Sequence, residues 1–410
     1  MNRLISYSAI LLVILNSGTI IYLLIEPRVL LPASCLLLIS LILLTKKEVV
    51  QTFWRIALLG VGVSLLSLFY VAKYGRGDLF MNQQDLRLVA IGVLVLCTRA
   101  LVKIQDGEFM ILVERILRVL AVHAILCCII ITAFPTDNVV FAIAGNSASN
   151  YLGYNWFIMQ RANIDYLGFA EATSFSIGSL IVPRAHGIFW EPGNFSLYAN
   201  ILLHLNLFQK LDVRGIGIAL TGILLSYSTS GLSIAFFQVI AFIAYRGFYR
   251  SRKHGMKLVL AMLPIISFWF LTRENIALKF AEGTTSGSSR LLSTISQAKV
   301  WLANPLGGAG HIYDIYVSQV EAQLSGASGI LNSFSASVHG EVSFTNSVVG
   351  MFAMFGLLCL PLFYGLFNMR FLARPRVFGL VVLLGCSSAP LFYTPFIFFL
   401  CTIGLRLKFV

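Results

Sequence analysis

Twelve apolar runs, most near the length of a bilayer crossing, divide this chain. They cover about residues 4–25, 29–44, 54–71, 86–102, 116–134, 194–208, 215–228, 232–245, 258–271, 346–367, 377–388 and 391–405. A helix that crosses the hydrocarbon core needs about 20 mostly apolar residues. What separates the runs is poor in charge: only 11% of the 410 residues are Asp, Glu, Lys or Arg, against about 25% in soluble domains. So little charge cannot cover a water-facing surface of this size, which excludes a soluble enzyme. The 32 Phe and 15 Tyr exclude intrinsic disorder, because that much apolar mass does not stay solvated. The expected fold is all-α: a polytopic membrane protein of about 12 transmembrane helices with two large periplasmic loops containing short helices, forming a single integral membrane domain over 1–410.

Orientation follows from the cations, which concentrate on the cytoplasmic side of membrane proteins. With the N-terminus in the cytoplasm, 20 of the 30 Lys and Arg fall on the inner side beside 5 of the 17 acids. The balance is then +15 inside and −2 outside. The net charge of +13 therefore reads as a topology signal, and no nucleic-acid partner is expected. Both termini are expected in the cytoplasm. All seven Cys sit inside apolar runs without metal-ligand spacing, so neither a disulfide framework nor a Cys-based zinc site is expected.

Two outer loops stand apart from the short inner ones: 135–191, and a larger one at 272–345 that contains an amphipathic helix. Long loops in compact proteins usually carry function. The first ends in Pro183-Arg184-Ala185-His186-Gly187-Ile188-Phe189-Trp190-Glu191-Pro192-Gly193-Asn194, leading straight into an apolar run. A fixed charge at the bilayer rim is costly unless paired or met by an ionic ligand. Arg184 and Glu191 are thus either an ion pair with the glutamate at a helix start, or parts of a site. Pro192 suits the first turn of the helix that follows.

In the second loop, Leu291, Ile295, Ala298 and Leu302 recur at helical spacing, with Arg290, Thr294, Gln297 and Trp301 beside them. Such a helix over 288–301 is expected to lie along the membrane surface with its arginine at headgroup level. Asn304-Pro305-Leu306-Gly307-Gly308-Ala309-Gly310-His311 follows. It neither follows a strand nor opens a long helix, so it is read as a backbone turn close to a ligand rather than a dinucleotide fingerprint. His186, His311 and His339 lie in outer loops, where an imidazole can act as a base near neutral pH. The outer loops hold no carboxylate cluster, so no metal and no cofactor is expected.

In sequence order, these motifs resemble the O-antigen polymerase and O-antigen ligase superfamily of bacterial inner-membrane proteins. The first is Arg184, Gly187, Phe189, Glu191 and Pro192. The second is Arg290 followed by Asn304 to Gly310. The third is Asn346 and Ser347 opening an apolar run with Gly356 and Leu357. Where ligases of this superfamily keep a His-Asn pair, this chain has Thr345-Asn346, which favours the polymerase.

The resemblance implies a glycosyltransferase of lipopolysaccharide biosynthesis in the bacterial inner membrane. Its substrate would be an oligosaccharide repeat on undecaprenyl diphosphate, used at the periplasmic face, with membrane lipid and a chain-length regulator protein as further partners. His339, Glu191 and Arg290 are the expected catalytic residues, with His339 the first choice of base and Glu191 the second. Arg184, Arg290, His186, His311, Trp190 and Asn346 are expected to bind diphosphate or glycan. An alternative is the ligase that moves glycan to lipid A core; another is a polysaccharide flippase, whose outer loops would be short.

Overall fold

The structure is a computed structural model. It describes residues 2–19, 27–45, 49–75, 83–102, 108–133, 139–143, 146–151, 154–161, 174–177, 180–189, 191–250, 285–310, 316, 318–319, 346–369, 371–388, 391 and 394–405. Its body is helical. In chain order the helices are α1 (Asn2–Leu15), α2 (Pro27–Thr45), α3 (Val49–Tyr74), α4 (Gln83–Leu101), α5 (Glu108–Ala133), α6 (Pro192–His204), α7 (Val213–Ser226), α8 (Thr229–Arg250), α9 (Thr285–Ala303), α10 (Ser347–Phe355), α11 (Leu360–Phe367), α12 (Pro375–Ser388) and α13 (Pro395–Gly404). The apolar run at 258–271 lies outside the described residues.

Among the described residues, two stretches are long and apolar enough to cross a membrane: α3, and the 21-residue stretch Ser347–Phe367. Six shorter apolar helices accompany them. In α3 the usual pattern of a soluble helix is inverted. Trp54, Leu58, Val61, Leu65 and Leu68 are all exposed and recur every three or four residues along one face. Its buried residues include Thr52, Ser67 and Tyr70, and Ser67 donates to the buried Asp85 carboxylate of α4 at 3.1 Å. Only 17% of its most apolar window is buried, so α3 is no core helix of a soluble protein. An apolar stripe of that length outside, with hydroxyls inside, suits a lipid surround.

The core is built around α6. Every residue from Asn194 to His204 is buried, with α5, α7, α8 and α12 packed against the helix. Polar side chains inside this core find partners. Asn200 Nδ2 donates to the carbonyls of Ser196 and Gly231, at 2.8 and 3.0 Å. Its Oδ1 accepts from Gln238 of α8 at 2.9 Å. The helix continues as a π-turn through Leu205–Lys210, and Asp212 then caps α7 by accepting from Arg214 N.

Some expectations shift. The first apolar run is not one helix to residue 25: α1 stops at Leu15, and Asn16 to Thr19 turn and bridge to Phe189. In the first outer loop the described residues form strands rather than short helices. These are a three-stranded antiparallel sheet, β1 (Val139–Ile143), β2 (Asn146–Tyr151) and β3 (Tyr154–Arg161), and a hairpin, β4 (Ser174–Ile177) with β5 (Leu180–Pro183). The run at 346–367 is interrupted by a 3-10 turn, Gly356–Cys359.

The amphipathic segment of the second loop is helical, as α9, but its packing is not that of a free surface helix. It runs parallel to α10. Gln297 lies against Gly350, the Trp301 and Phe352 rings are 4.9 Å apart, and Ala309 N donates to Ala353 O at 2.7 Å. The reason lies in the glycine run that follows. Gly308 and Gly356 both have positive φ, and a Cβ on Gly308 would stand 2.3 Å from the Met354 carbonyl carbon. Bare backbone on both sides lets the 304–310 turn close onto the α10 break. The close approach expected of this turn is therefore to another segment of the chain. Tyr70, Lys73 and Tyr74 at the end of α3 seal it, donating to Gly307 O, to Asn304 Oδ1 and Gly308 O, and to Ala309 O respectively.

Candidate functional site

The hairpin β4–β5 ends at Pro183 and delivers Arg184 to the C-terminal end of α7. There Arg184 Nε donates to Ser226 O at 3.0 Å, and Ala185 N donates to Leu225 O at 2.9 Å. A cation beside the last carbonyls of a helix meets the negative end of its dipole. His186 then closes a turn: its Nδ1 lies 2.6 Å from Phe189 O, and Phe189 N donates to His186 O at 3.0 Å. A carbonyl can only accept, so Nδ1 carries the proton. Burial of the ring disfavours the charged form and lowers the His186 pKa to about 4, with nearby Arg184 pushing the same way against the Phe189 contact. His186 is thus a neutral clamp of the turn.

Phe189 stacks on Tyr198 at 4.4 Å, and Tyr198 donates to Ser17 O at 2.8 Å. Ser17 Oγ accepts from Phe396 N at 2.8 Å. Three distant segments, the α1 break, the Arg184–Glu191 turn and the start of α13, are thereby tied into one end of the bundle.

Glu191 opens α6 from an extended conformation but gives no side-chain cap, and Pro192 follows as the first helical residue. Among the described residues no ion pair or hydrogen bond holds the Glu191 carboxylate. Of the two alternatives the ion pair is not formed: Arg184 and Glu191 do not meet, and Arg184 Nε donates to Ser226 O. That leaves the carboxylate, half-buried, at the positive end of a helix.

Asn346 reaches the same end by a different route. It caps α10, with Oδ1 accepting from Val349 N at 3.2 Å, and the next residue, Ser347, donates to Cys386 O at 2.7 Å. Gly385, beside Cys386, packs on Leu197, one turn into α6. Since α9 runs parallel to α10, the backbone of Arg290, about 10 Å before Gln297 along the helix, also belongs to this end. The Arg290 side chain lies outside the described residues, as do Trp190, His311 and His339. The structure therefore gathers Arg184, His186, Glu191, Asn346 and the Arg290 backbone at one end of the bundle.

Sequence reasoning missed the Ser226–Gly231 turn between α7 and α8. Ser228 Oγ accepts from Gly231 N at 3.3 Å, and Gly231 packs directly on Ser196 of α6. The N-termini of α6 and α8 thus lie side by side, next to the residue that holds Arg184. Ser-rich spacing between two apolar runs was the available signal.

At the opposite end sits a charge cluster. Arg118 of α5 pairs with Glu114 and Asp212 and donates to Asn206 Oδ1 at 3.1 Å. Lys210 reaches Glu114 at 3.2 Å. The hydrogen bond from Arg118 holds the Asp212 carboxyl below its ordinary range. Among the described residues no group of three or more His, Cys, Asp or Glu has a metal-binding arrangement. The chain matches no protein-family model, no curated protein and no solved structure.

Proposed function

We propose that this chain is a multi-pass bacterial inner-membrane glycosyltransferase of the O-antigen polymerase type. It joins oligosaccharide repeats carried on undecaprenyl diphosphate at the periplasmic face. One observation carries the reading: Arg184, Glu191 and Asn346, from segments more than 150 positions apart, share one end of an apolar bundle with the Arg290 backbone. The charge cluster of Arg118 and Lys210 lies at the other end, consistent with a cytoplasmic face there.

In the reaction, the C1–oxygen bond to the diphosphate breaks and its electron pair leaves with the phosphate. An acceptor sugar hydroxyl forms the new C1–O bond and gives its proton to a base. Guanidinium groups suit the leaving group because they stay charged in a poorly hydrated site and match phosphate oxygens. Arg184 and Arg290 serve in that role, and one well-placed donor of this kind lowers a barrier by about 3–4 kcal/mol. His339 or Glu191 takes the proton, an effect typically worth ~10²–10⁴-fold. Asn346, His311 and Trp190 line the glycan path while His186 holds the turn that carries Arg184, and no metal takes part because the arginines act as electrophile.

Deletion in a host that makes long polysaccharide tests the reading. Lipopolysaccharide carrying core plus one repeat is the expected result. Bare core with glycan stranded on its lipid carrier indicates the ligase instead, and repeats trapped on the cytoplasmic side indicate a flippase.

A further inference from the structure

Three asparagines lie on the central helix and its π-extension, and two are fully engaged. Asn200 bonds to Ser196, Gly231 and Gln238. Asn206 donates to Leu202 O at 2.8 Å and accepts from Arg118. Asn194 is the exception. It is 3% exposed, and among the described residues its buried Oδ1 has no hydrogen-bond partner. Its Nδ2 faces Gly18, a residue with no side chain to meet it. Buried amide oxygens are nearly always satisfied. Those of Asn16, Gln238 and Gln297 also lack a partner among the described residues, but Asn194 alone of the four stands in the first turn of a helix, where a ligand can complete it.

The surroundings indicate which ligand. Asn194 sits in the first turn of α6, where backbone N–H groups have no acceptor within the helix. Glu191 supplies no side-chain cap there. The N-terminus of α8 lies alongside through the Gly231–Ser196 contact, and Arg184 is fixed to Ser226, three residues before α8 begins. Two positive helix ends and a guanidinium attract an anion. The Glu191 carboxylate at the same turn opposes a bare anion and suits one that also presents hydroxyl donors. A glycosyl phosphate has both: phosphate oxygens that accept, and ring hydroxyls that donate.

We infer that Asn194 is a specificity-determining ligand of the glycosyl phosphate, its Oδ1 accepting from a hydroxyl of the sugar next to the phosphate. This rests on the function proposed above and goes beyond it by placing sugar recognition on α6 itself. An unengaged buried amide destabilises the empty protein, so its replacement by an apolar residue of similar size separates binding from folding.

The test uses the full chain in nanodiscs with two probes. One is the undecaprenyl-diphosphate-linked repeat extracted from cells lacking this chain, and the other is undecaprenyl diphosphate without sugar. Asn194→Leu is expected to unfold at the same or a higher temperature. It should bind the lipid-linked repeat at least tenfold more weakly and the sugar-free lipid within twofold of wild type. Should the leucine variant fail to fold, Asn194→Ser is expected to show the same selective loss. Wild-type affinity for the repeat in the folded variant overturns the inference, as does equal weakening towards both lipids. Failure of the unmodified chain to bind either lipid takes the functional proposal down with it.

Discussion

Arg184 and Ser226 meet through a single hydrogen bond, from Nε to the carbonyl oxygen at 3.0 Å, which fastens the arginine to the end of α7. Arg118 holds the other end of the same helix through its cap, Asp212. Fourteen residues, about 21 Å at the usual helical rise, separate two arginine anchors with different chemistry around them. One lies in a charge cluster with two carboxylates, the other beside the last carbonyls of the helix.

Arg184→Ala should therefore abolish polymer in protein that still folds, the lost hydrogen bond to Ser226 costing about 1 kcal/mol. Arg184→Lys keeps the charge but not the Nε contact, and is expected to retain a small fraction of activity. Polysaccharide ladders read alongside thermal unfolding in detergent check both. Normal ladders from the alanine variant would remove Arg184 from the site.

Arg118 is expected to behave in the opposite way. The Glu114 side chain is 4% exposed, so Arg118→Ala leaves a buried carboxylate with Lys210 alone, at a cost of about 2–3 kcal/mol. The loss should appear as reduced folded protein, with activity per folded molecule preserved. Asp212 adds a pH signature. Its folded pKa is depressed, so its contribution is present above the ordinary value of 3.8 and fades as pH falls through the lower, folded value. Arg118→Ala should flatten that acid limb of the unfolding profile.

His186 yields a second pH window of separate origin. Its folded pKa is about 4 against 6.5 ordinarily, so between those values the unfolded chain binds a proton that the folded chain does not. Stability should fall as pH drops from 6.5 towards 4 and level off below. Removing the imidazole with His186→Asn should cost stability at neutral pH and erase this slope. An activity step near pH 6.5 that vanishes with His186 would contradict the neutral clamp.

Gly308→Ala should be among the most damaging single-methyl changes in the chain. The new Cβ would lie 2.3 Å from the Met354 carbonyl carbon, at a residue with φ of +68°. The left-handed conformation alone costs about 1–2 kcal/mol, and the overlap with backbone cannot be relieved by a rotamer change. Separation of the 304–310 turn from α10 should follow, seen as new protease cleavage within it. Wild-type resistance would show that the turn does not need this contact.

Much of the helical layout is legible in the sequence because it depends on local quantities. Apolar run length and the scarcity of charge decide which segments form helices, and the exposed stripe of Trp54 to Leu68 is the same hydropathy seen from outside. The tertiary structure alone decides partnership. Arg184 stands seven residues from Glu191, a spacing that suggests an ion pair, yet a carbonyl 42 positions away takes its Nε. The glycine run at 307–310 advertises close approach but not to what, since backbone-to-backbone contact leaves no mark on side-chain chemistry. Asn194, Asn200 and Asn206 are alike on paper. They differ because hydrogen-bond satisfaction depends on which helices pack alongside, and that is a property of the assembled bundle.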